Sequence, residues 1–364
     1  MLIVFAAGGT GGHIYPALAM ADQVRQIYPK AEIWFVGRAN GMEQGLVEKA
    51  GYPMFGIAVE GLKRKLTFDN LRIIKRMLQS QKDIRRWLLE KNPDLVVGTG
   101  GYVSYPTVRA AAALGIPCAV HESNAIPGLA VKLLAPKVNR IWVGMEQAKG
   151  SFWQKEKVRV TGNPLRQTFT HTLYAKANAK QKFGIRQKEF FVLSFGGSLG
   201  AKELNDTMYQ ILCEDKDKSI RFCHVSGKKY KDDYNLKNIP KRHLWLSYAD
   251  DMPTLMEGAD LVIARAGAMT LAEISACKKV SILIPSPHVV KNHQFYNAKA
   301  LADKGAAILL KEEALSPISL SKIISHLKSH EEERKEMEKA IEKYFNFDTK
   351  VILEEEFEML LKKS

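Results

Sequence analysis

Residues Ala259–Ala298 read ADLVIARAGAMTLAEISACKKVSILIPSPHVVKNHQFYNA, and the order of the parts in this stretch decides the fold class. Leu261–Ala264 is a short apolar run bounded by Asp260 and Arg265, which suits a buried strand of a parallel sheet. Gly267 breaks the run and predicts a tight turn with close backbone approach. An amphipathic helix is then expected from Thr270, with Glu273 in its first turn. A strand, a glycine turn and a helix N-terminus leave free N–H groups and a helix dipole aimed at one place, which receives anions. A carboxylate there is ill-placed for phosphate but accepts both hydroxyls of a vicinal diol such as a ribose. Glu273 therefore either grips a diol or complements the dipole of its own helix.

The same succession recurs along the chain. Leu2–Ala7 predicts a first strand, then the loop Gly8-Gly9-Thr10-Gly11-Gly12-His13 and a helix over Pro16–Tyr28, with Pro16 as an early helical residue. The loop is no dinucleotide motif. Counted from Gly9, Ile14 stands where the third glycine belongs, and the next strand, Glu32–Val36, ends in Gly37-Arg38 without an acidic residue for an NAD ribose. No Walker motif occurs either, which disfavours a P-loop NTPase. Further strands are expected at Pro53–Ile57, Leu95–Gly98, Cys118–His121 and Arg140–Val143, at the spacing of right-handed βαβ units. Two of these strands lead into the turn Gly98–Ser104 and the polar cluster His121–Gly128. Capping by Ser123 or Asn124 and a satisfied His121 would explain one cluster. Three clusters at strand carboxyl ends, where open α/β sheets bind ligands, point to a site.

Thr161–Arg166, with Asn163-Pro164, reads as a hinge, after which the pattern restarts. A helical segment near Tyr174–Phe183 and a strand at Phe190–Phe195 precede Gly196-Gly197-Ser198-Leu199-Gly200-Ala201, which opens a helix running to Cys213. That geometry stabilises a pyrophosphate on backbone N–H groups. Strands at Ile220–Val225, Leu244–Leu246, Val280–Ile284 and Ala306–Leu309 and helices at Glu331–Lys343 and Val351–Leu361 complete the second half. The inferred fold class is α/β, two similar parallel-sheet halves with a cleft between them.

Composition sets the outer limits. The chain has 364 residues, 46% of them hydrophobic, enough for a large core and two domains. Four cysteines without a C-x-x-C pair predict neither a zinc site nor a disulfide framework and fit a reducing compartment. No signal peptide and no apolar run of spanning length are read, so a soluble or peripheral protein is expected. Of the net charge of +15, residues 1–163 carry +10, from 22 Lys and Arg against 12 Asp and Glu. Between residues 61 and 91, Lys63, Arg64, Lys65, Arg72, Lys75, Arg76, Lys82, Arg85, Arg86 and Lys91 face only three acids. Leu71, Ile74, Met77, Leu78, Ile84, Trp87 and Leu88 interleave with them near helical spacing. Such a segment suits an anionic membrane surface or, equally, the solvated face of a core-packed helix. A nucleic-acid partner lacks both a binding motif and an aromatic platform.

Gly267–Glu273 followed by His293–Ala298 resembles the nucleotide-sugar site of the MurG family, the bacterial cell-wall N-acetylglucosaminyltransferases. The likeness extends over nearly the whole chain through Gly8–His13, Gly101–Ser104, His121–Gly128, Thr161–Arg166, Gly196–Ala201 and Asp250–Met252. It implies a GT-B fold of two Rossmann-like domains: 1–163 for the acceptor and the membrane, 164–340 for UDP-GlcNAc, and a final segment 341–364 packing back on the first. It further implies that backbone at Ala249 meets uracil, that Glu273 meets the ribose, and that Ser198 and Arg166 hold the diphosphate. Gln294, Asn124 and Ala268, Met269 and Thr270 would surround the sugar, with Leu271 and Ala272 in the same motif. Thr10, Gly11 and Gly12 would face the reacting centre. The family often has Gly at Tyr105 and Gln at Ser123, and some members have Gln at His293; Tyr105 would narrow the acceptor side.

The reaction so implied moves N-acetylglucosamine from UDP to the 4-hydroxyl of MurNAc in undecaprenyl-pyrophosphoryl-MurNAc-pentapeptide, converting lipid I to lipid II with inversion. No metal and no cofactor is expected. The acceptor hydroxyl needs a base: His13, whose ordinary pKa is about 6.5, or Glu122, which burial would have to raise. Other cell-wall synthesis proteins are expected partners, and the cytoplasmic face of the plasma membrane the location. The alternatives are a UDP-GlcNAc epimerase and a UDP-sugar transferase with a soluble acceptor.

Overall fold

A computed structural model describes residues 1–58, 68–170, 176–197, 199–345 and 347–362; within these, side chains of 68–78, 167, 170, 344 and 345 are left aside. The chain forms two compact units, Met1–Arg166 with Phe347–Ser364, and Gln167–Asn346. Each is built on a parallel sheet.

The first sheet contains β1 (Leu2–Ala6), β2 (Glu32–Arg38), β3 (Met54–Ile57), β4 (Leu95–Gly98), β5 (Cys118–Glu122), β6 (Arg140–Val143) and β7 (Val158–Val160). Their order is β3-β2-β1-β4-β5-β6-β7. The strand direction of winding reverses between β1 and β4, so the loops after these neighbours, and after β5, open side by side at one edge. β1 and β4 are wholly buried apolar runs, because helices cover both faces of the sheet. On one face Val4, Val96 and Val120 pack with Ile84, Trp87, Leu88, Val108 and Leu134. On the other, Ile3, Phe5 and Val97 pack with Ile14, Met20, Val24 and the last helix, through Leu353, Phe357 and Leu360. That helix, Thr349–Leu361, is also pinned by charge: Glu356, buried, accepts from Arg140 Nε and Trp142 Nε1, both at 2.7 Å.

The second sheet contains β8 (Phe190–Phe195), β9 (Ile220–Val225), β10 (Leu244–Leu246), β11 (Leu261–Ala264), β12 (Ser281–Leu283) and β13 (Ile308–Leu309), in the order β10-β9-β8-β11-β12-β13. Its winding reverses between β8 and β11, which again brings two loops together, Gly196–Ala201 and Arg265–Gly267.

Several expectations need correction. β7 was not expected; Val158-Arg159-Val160 is too short and too half-buried to show as an apolar run, and pairing with β6 makes it a strand. The first helix begins at Gly11, so Pro16 lies six residues in, and part of the glycine loop is itself the first helical turn. The helix after β11 begins at Ala268 instead of Thr270, so Glu273 falls in the second turn and no acid occupies the first. A macrodipole effect fades beyond the first turn. β5 runs one residue past the expected Cys118–His121, so Glu122 belongs to the strand, and His121 is fully buried.

In the basic segment, Phe68–Lys91 is helical. Ile84, Trp87 and Leu88 point into the core, where Trp87 stacks on Phe55 at 4.9 Å, while Lys82, Arg85, Arg86 and Leu89 are exposed. This end of the segment is a core-packed helix with a basic outer face. Residues 62–67 and the side chains of Leu71, Ile74, Met77 and Leu78 lie outside the described residues. Among the described residues no helix is long and apolar enough to cross a membrane.

Candidate functional site

In the first unit Thr10, Gly11, Gly12 and His13 follow β1, Glu122 ends β5 and Asn124 lies in the loop after it. Thr10 is the N-cap of the helix Gly11–Ile27, with extended backbone at φ −149°. His13 takes its place in that helix's first turn, and Thr99 fixes it there by donating its hydroxyl to the His13 carbonyl at 2.8 Å. Ser104 ties β4's loop to β1 by donating to Ala6 O at 2.7 Å and accepting from Gly100 N at 3.0 Å. The His13 ring is thereby held over two glycines. Gly100 has φ +102° and Gly101 φ +77°, conformations that disfavour any side chain. A Cβ at Gly100 would stand 2.7 Å from His13 Cδ2 and 3.0 Å from Nε2, and one at Gly101 2.3 Å from Gly8 O. The second glycine turn exists to let the imidazole lie on bare backbone.

The ring's hydrogen bonds select a tautomer. His13 Nδ1 is 3.2 Å from Gly8 O and 3.2 Å from Thr10 Oγ1. A carbonyl only accepts, so Nδ1 carries the hydrogen, and in the neutral ring Nε2 keeps its lone pair. Nε2 is the nitrogen that faces Gly100.

Glu122 is occupied differently. It is buried; Oε1 accepts from Asn124 N and Nδ2, each at 2.9 Å, and Oε2 accepts from Gly128 N at 2.8 Å. These three N–H donors hold the loop 123–128 in shape. Beside it, burial pushes His121 down to about 4, so that ring is neutral, its Nε2 3.4 Å from Gly162 O. Arg166, exposed at the end of the first unit, lays its guanidinium over Tyr15, 5.1 Å from the ring centroid.

In the second unit, the loop Gly196–Ala201 bends back on itself, with Gly200 N donating to Gly197 O at 3.0 Å. Gly197 and Gly200 have φ +84° and +74°. A Cβ on Gly200 would come within 2.2 Å of Ser226 O, so the loop rests directly on the Ser226-Gly227 backbone. Ser198, expected at a diphosphate, lies outside the described residues. The helix Lys202–Glu214 points its N-terminus at this loop. Gly267 has φ −68°, and a Cβ there would meet only Thr270 Oγ1 at 3.6 Å, so the turn itself does not demand glycine. Ala268 is buried, while Met269, Thr270, Ala272 and Glu273 are partly exposed and Leu271 packs inward. Gln294 Oε1 accepts from Ser286 N at 2.9 Å, which orients its amide NH2 away from that loop. Ala249 is half-buried in the loop after β10.

Sequence reading passed over four polar residues near these loops. Arg265 is buried at the end of β11, donating to Ile284 O at 3.3 Å and pairing with Glu203 at 3.5 Å and with Glu312. Thr99, Asn205 and His224 act through backbone carbonyls or one another, and only His224, a polar residue inside the apolar run of β9, left a trace in the pattern. Among the described residues no cluster of His, Cys, Asp or Glu could hold a metal ion.

The glycosyltransferase family 28 N-terminal domain matches residues 3–143, and the glycosyltransferase family 28 C-terminal domain matches residues 191–351. A protein of Alkaliphilus oremlandii named UDP-N-acetylglucosamine–N-acetylmuramyl-(pentapeptide) pyrophosphoryl-undecaprenol N-acetylglucosamine transferase is 39% identical over 344 residues, 93% of each chain. One of the same name from Bacillus cytotoxicus is 41% identical over 324 residues, 88% of each. The crystal structure of Acinetobacter baumannii MurG superimposes with a TM-score of 0.78 at 25% identity, covering 100% of this chain and 99% of that one.

Proposed function

The chain belongs to the MurG family of glycosyltransferase family 28, and from that membership we propose how its residues share out the reaction. It is an N-acetylglucosaminyltransferase that moves N-acetylglucosamine from UDP-GlcNAc to N-acetylmuramyl-(pentapeptide) pyrophosphoryl-undecaprenol, lipid I to lipid II. The observation that carries this is identity of about 40% over about nine-tenths of the chain with transferases of that name. Such identity favours transfer over epimerisation.

The second unit takes the donor. Backbone N–H groups of Gly196–Gly200 and the N-terminus of the helix Lys202–Glu214 receive the diphosphate, with Ser198 and, from the first unit, Arg166 adding to the charge stabilisation. Glu273, one turn beyond the reach of the dipole, is the diol acceptor for the ribose, Ala249 presents backbone to uracil, and Ala268–Thr270 and Gln294 take the sugar. The amide NH2 of Gln294 is the donor available to it.

The first unit takes the acceptor and supplies the base. His13 Nε2, carrying the lone pair, accepts the proton of the MurNAc 4-hydroxyl as that oxygen attacks the anomeric carbon and the C1–O bond to UDP breaks on the opposite face. Glu122 shapes the loop that carries Asn124 instead of exchanging a proton, because each of its oxygens already takes N–H donors. Thr10, Gly11 and Gly12 line the approach. The protein sits peripherally on the cytoplasmic face of the membrane, with the basic segment 62–88, whose described end exposes Lys82, Arg85 and Arg86, against anionic lipid and other cell-wall synthesis proteins nearby.

The experiment is direct: purified protein, labelled UDP-GlcNAc and lipid I, with lipid II as the product sought. Formation of an epimer from UDP-GlcNAc alone, with no lipid II, would overturn the reading.

A further inference from the structure

Beneath the glycine loop of the second unit lies a buried polar relay that the donor site has not yet used. His224, on β9 and fully buried, stands opposite Ser194 of β8 and Trp245 of β10, whose ring centroid is 4.4 Å away. Its Nδ1 is 2.8 Å from Ser194 Oγ, and its Nε2 is 3.0 Å from Oδ1 of Asn205. Asn205 is fully buried in the helix Lys202–Glu214, and its Nδ2 donates to Ser226 O at 3.0 Å. That last bond fixes the order of the others. With Nδ2 on the carbonyl, Oδ1 faces the ring and only accepts, so Nε2 carries the hydrogen and Nδ1 accepts from the Ser194 hydroxyl. The relay runs one way, from Ser194 through His224 and Asn205 to Ser226 O. Burial pushes the His224 pKa down to about 3, so protonation does not reverse it at working pH.

The end of the relay matters most. Ser226-Gly227 is the wall on which the loop leans: a Cβ on Gly227, at φ +92°, would stand 2.7 Å from Gly200 Cα and N. Asn205 lies in the first turn and a half of the helix whose N-terminus faces the same loop. One amide therefore couples the helix end to the wall behind the loop, and the imidazole holds that amide in the only orientation that serves both.

We propose that His224 is a positioning residue for the diphosphate of the nucleotide sugar, setting through Asn205 the spacing between the helix N-terminus and the Gly196–Gly200 turn. The inference rests on the reading that the diphosphate lies at this turn. Phosphate recognition by backbone N–H groups depends on donor–acceptor distances held within a few tenths of an ångström, and a slack wall loses them.

The test uses the full-length protein and UDP as the probe, with affinity from calorimetry, folding from thermal unfolding, and amide hydrogen exchange to locate protection. His224→Phe fills the volume and breaks both bonds; it should weaken UDP about 10-fold or more and leave the KM for lipid I unchanged. His224→Gln places an N–H near the Nε2 position and should recover UDP affinity to within about 3-fold. His224→Asn, which reaches only Ser194, should not. Equal UDP affinity in all three folded variants, or recovery by Asn instead of Gln, overturns the positioning role, even where thermal stability falls. If UDP fails to protect the amides of residues 196–200 in the unaltered protein, the location of the diphosphate falls instead, whatever the variants do.

Discussion

Gly100→Ala tests whether His13 works from the pose in which its ring lies on bare backbone. The substitution adds one methyl, and the structure says what it meets. With φ +102° and ψ −176°, residue 100 sits in a region of backbone space that is almost restricted to glycine. Holding alanine there costs about 1–3 kcal/mol, or about 2–4 °C of melting temperature per kcal/mol in a unit of this size. The larger effect is on catalysis. The new Cβ would stand 2.7 Å from His13 Cδ2 and 3.0 Å from Nε2, far inside van der Waals contact, so the ring must swing away. A displacement of about 1 Å at a reacting group costs about 10²-fold in rate. His13→Ala, which removes the base altogether, should lower turnover by about 10²-fold or more. The assay is initial-rate transfer of labelled N-acetylglucosamine to lipid I, with UDP affinity measured in parallel. We expect kcat to fall about 10²-fold in Gly100→Ala while UDP affinity is unchanged, since the proposed nucleotide residues other than Arg166 belong to the second unit. We further expect Gly100→Ala to cost little more turnover once His13 is already Ala, because both changes remove the same group. If Gly100→Ala keeps its turnover within about 3-fold, or if the two changes multiply, the imidazole is not working from this pose.

Three further outcomes follow from particular contacts. Glu273→Ala should weaken UDP by about 10-fold or more, the worth of hydrogen bonds to a charged acceptor; 2′-deoxy-UDP should bind the unaltered protein more weakly than UDP but bind the variant no differently, and calorimetry that separates the two nucleotides equally in both proteins would refute the ribose role. Glu356→Ala strips the shared acceptor from Arg140 and Trp142 and should destabilise the first unit by about 3 kcal/mol, visible as an earlier calorimetric transition. Acid should destabilise both units, through His121 in the first and His224 in the second. Burial holds their folded pKa values at about 4 and about 3, below the unfolded value of about 6.5, so the unfolded chain binds more protons as pH drops. Stability is therefore full above about pH 6.5 and declines towards pH 4, by at most about 1.4 kcal/mol per pH unit for each ring. A melting temperature flat from pH 7.5 to 5 would contradict that sign.

The alternation of short apolar runs with glycine turns and helical segments was enough to identify two parallel α/β halves, because a strand covered on both faces must be apolar throughout and a crossover needs a helix. It also identified which loops matter, since a loop after a strand in such a sheet has only one edge on which to open. The chain positions of His13, Gly100 and Glu122 were thus legible. Their roles were not. That Gly100 keeps a Cβ off an imidazole 87 residues away in the chain depends on β1 and β4 being neighbours. Helix boundaries at Gly11 and Ala268 were misjudged because glycine and small residues have weak local preferences, and tertiary contacts such as Thr99 to His13 O decide where the first turn closes. Glu122 and Glu273 are both carboxylates near strand ends, equal candidates in a string of letters. Only the fold surrounds one with three N–H donors and sets the other beyond the first turn of its helix, for the chemistry of a carboxylate is decided by the donors that geometry brings to it.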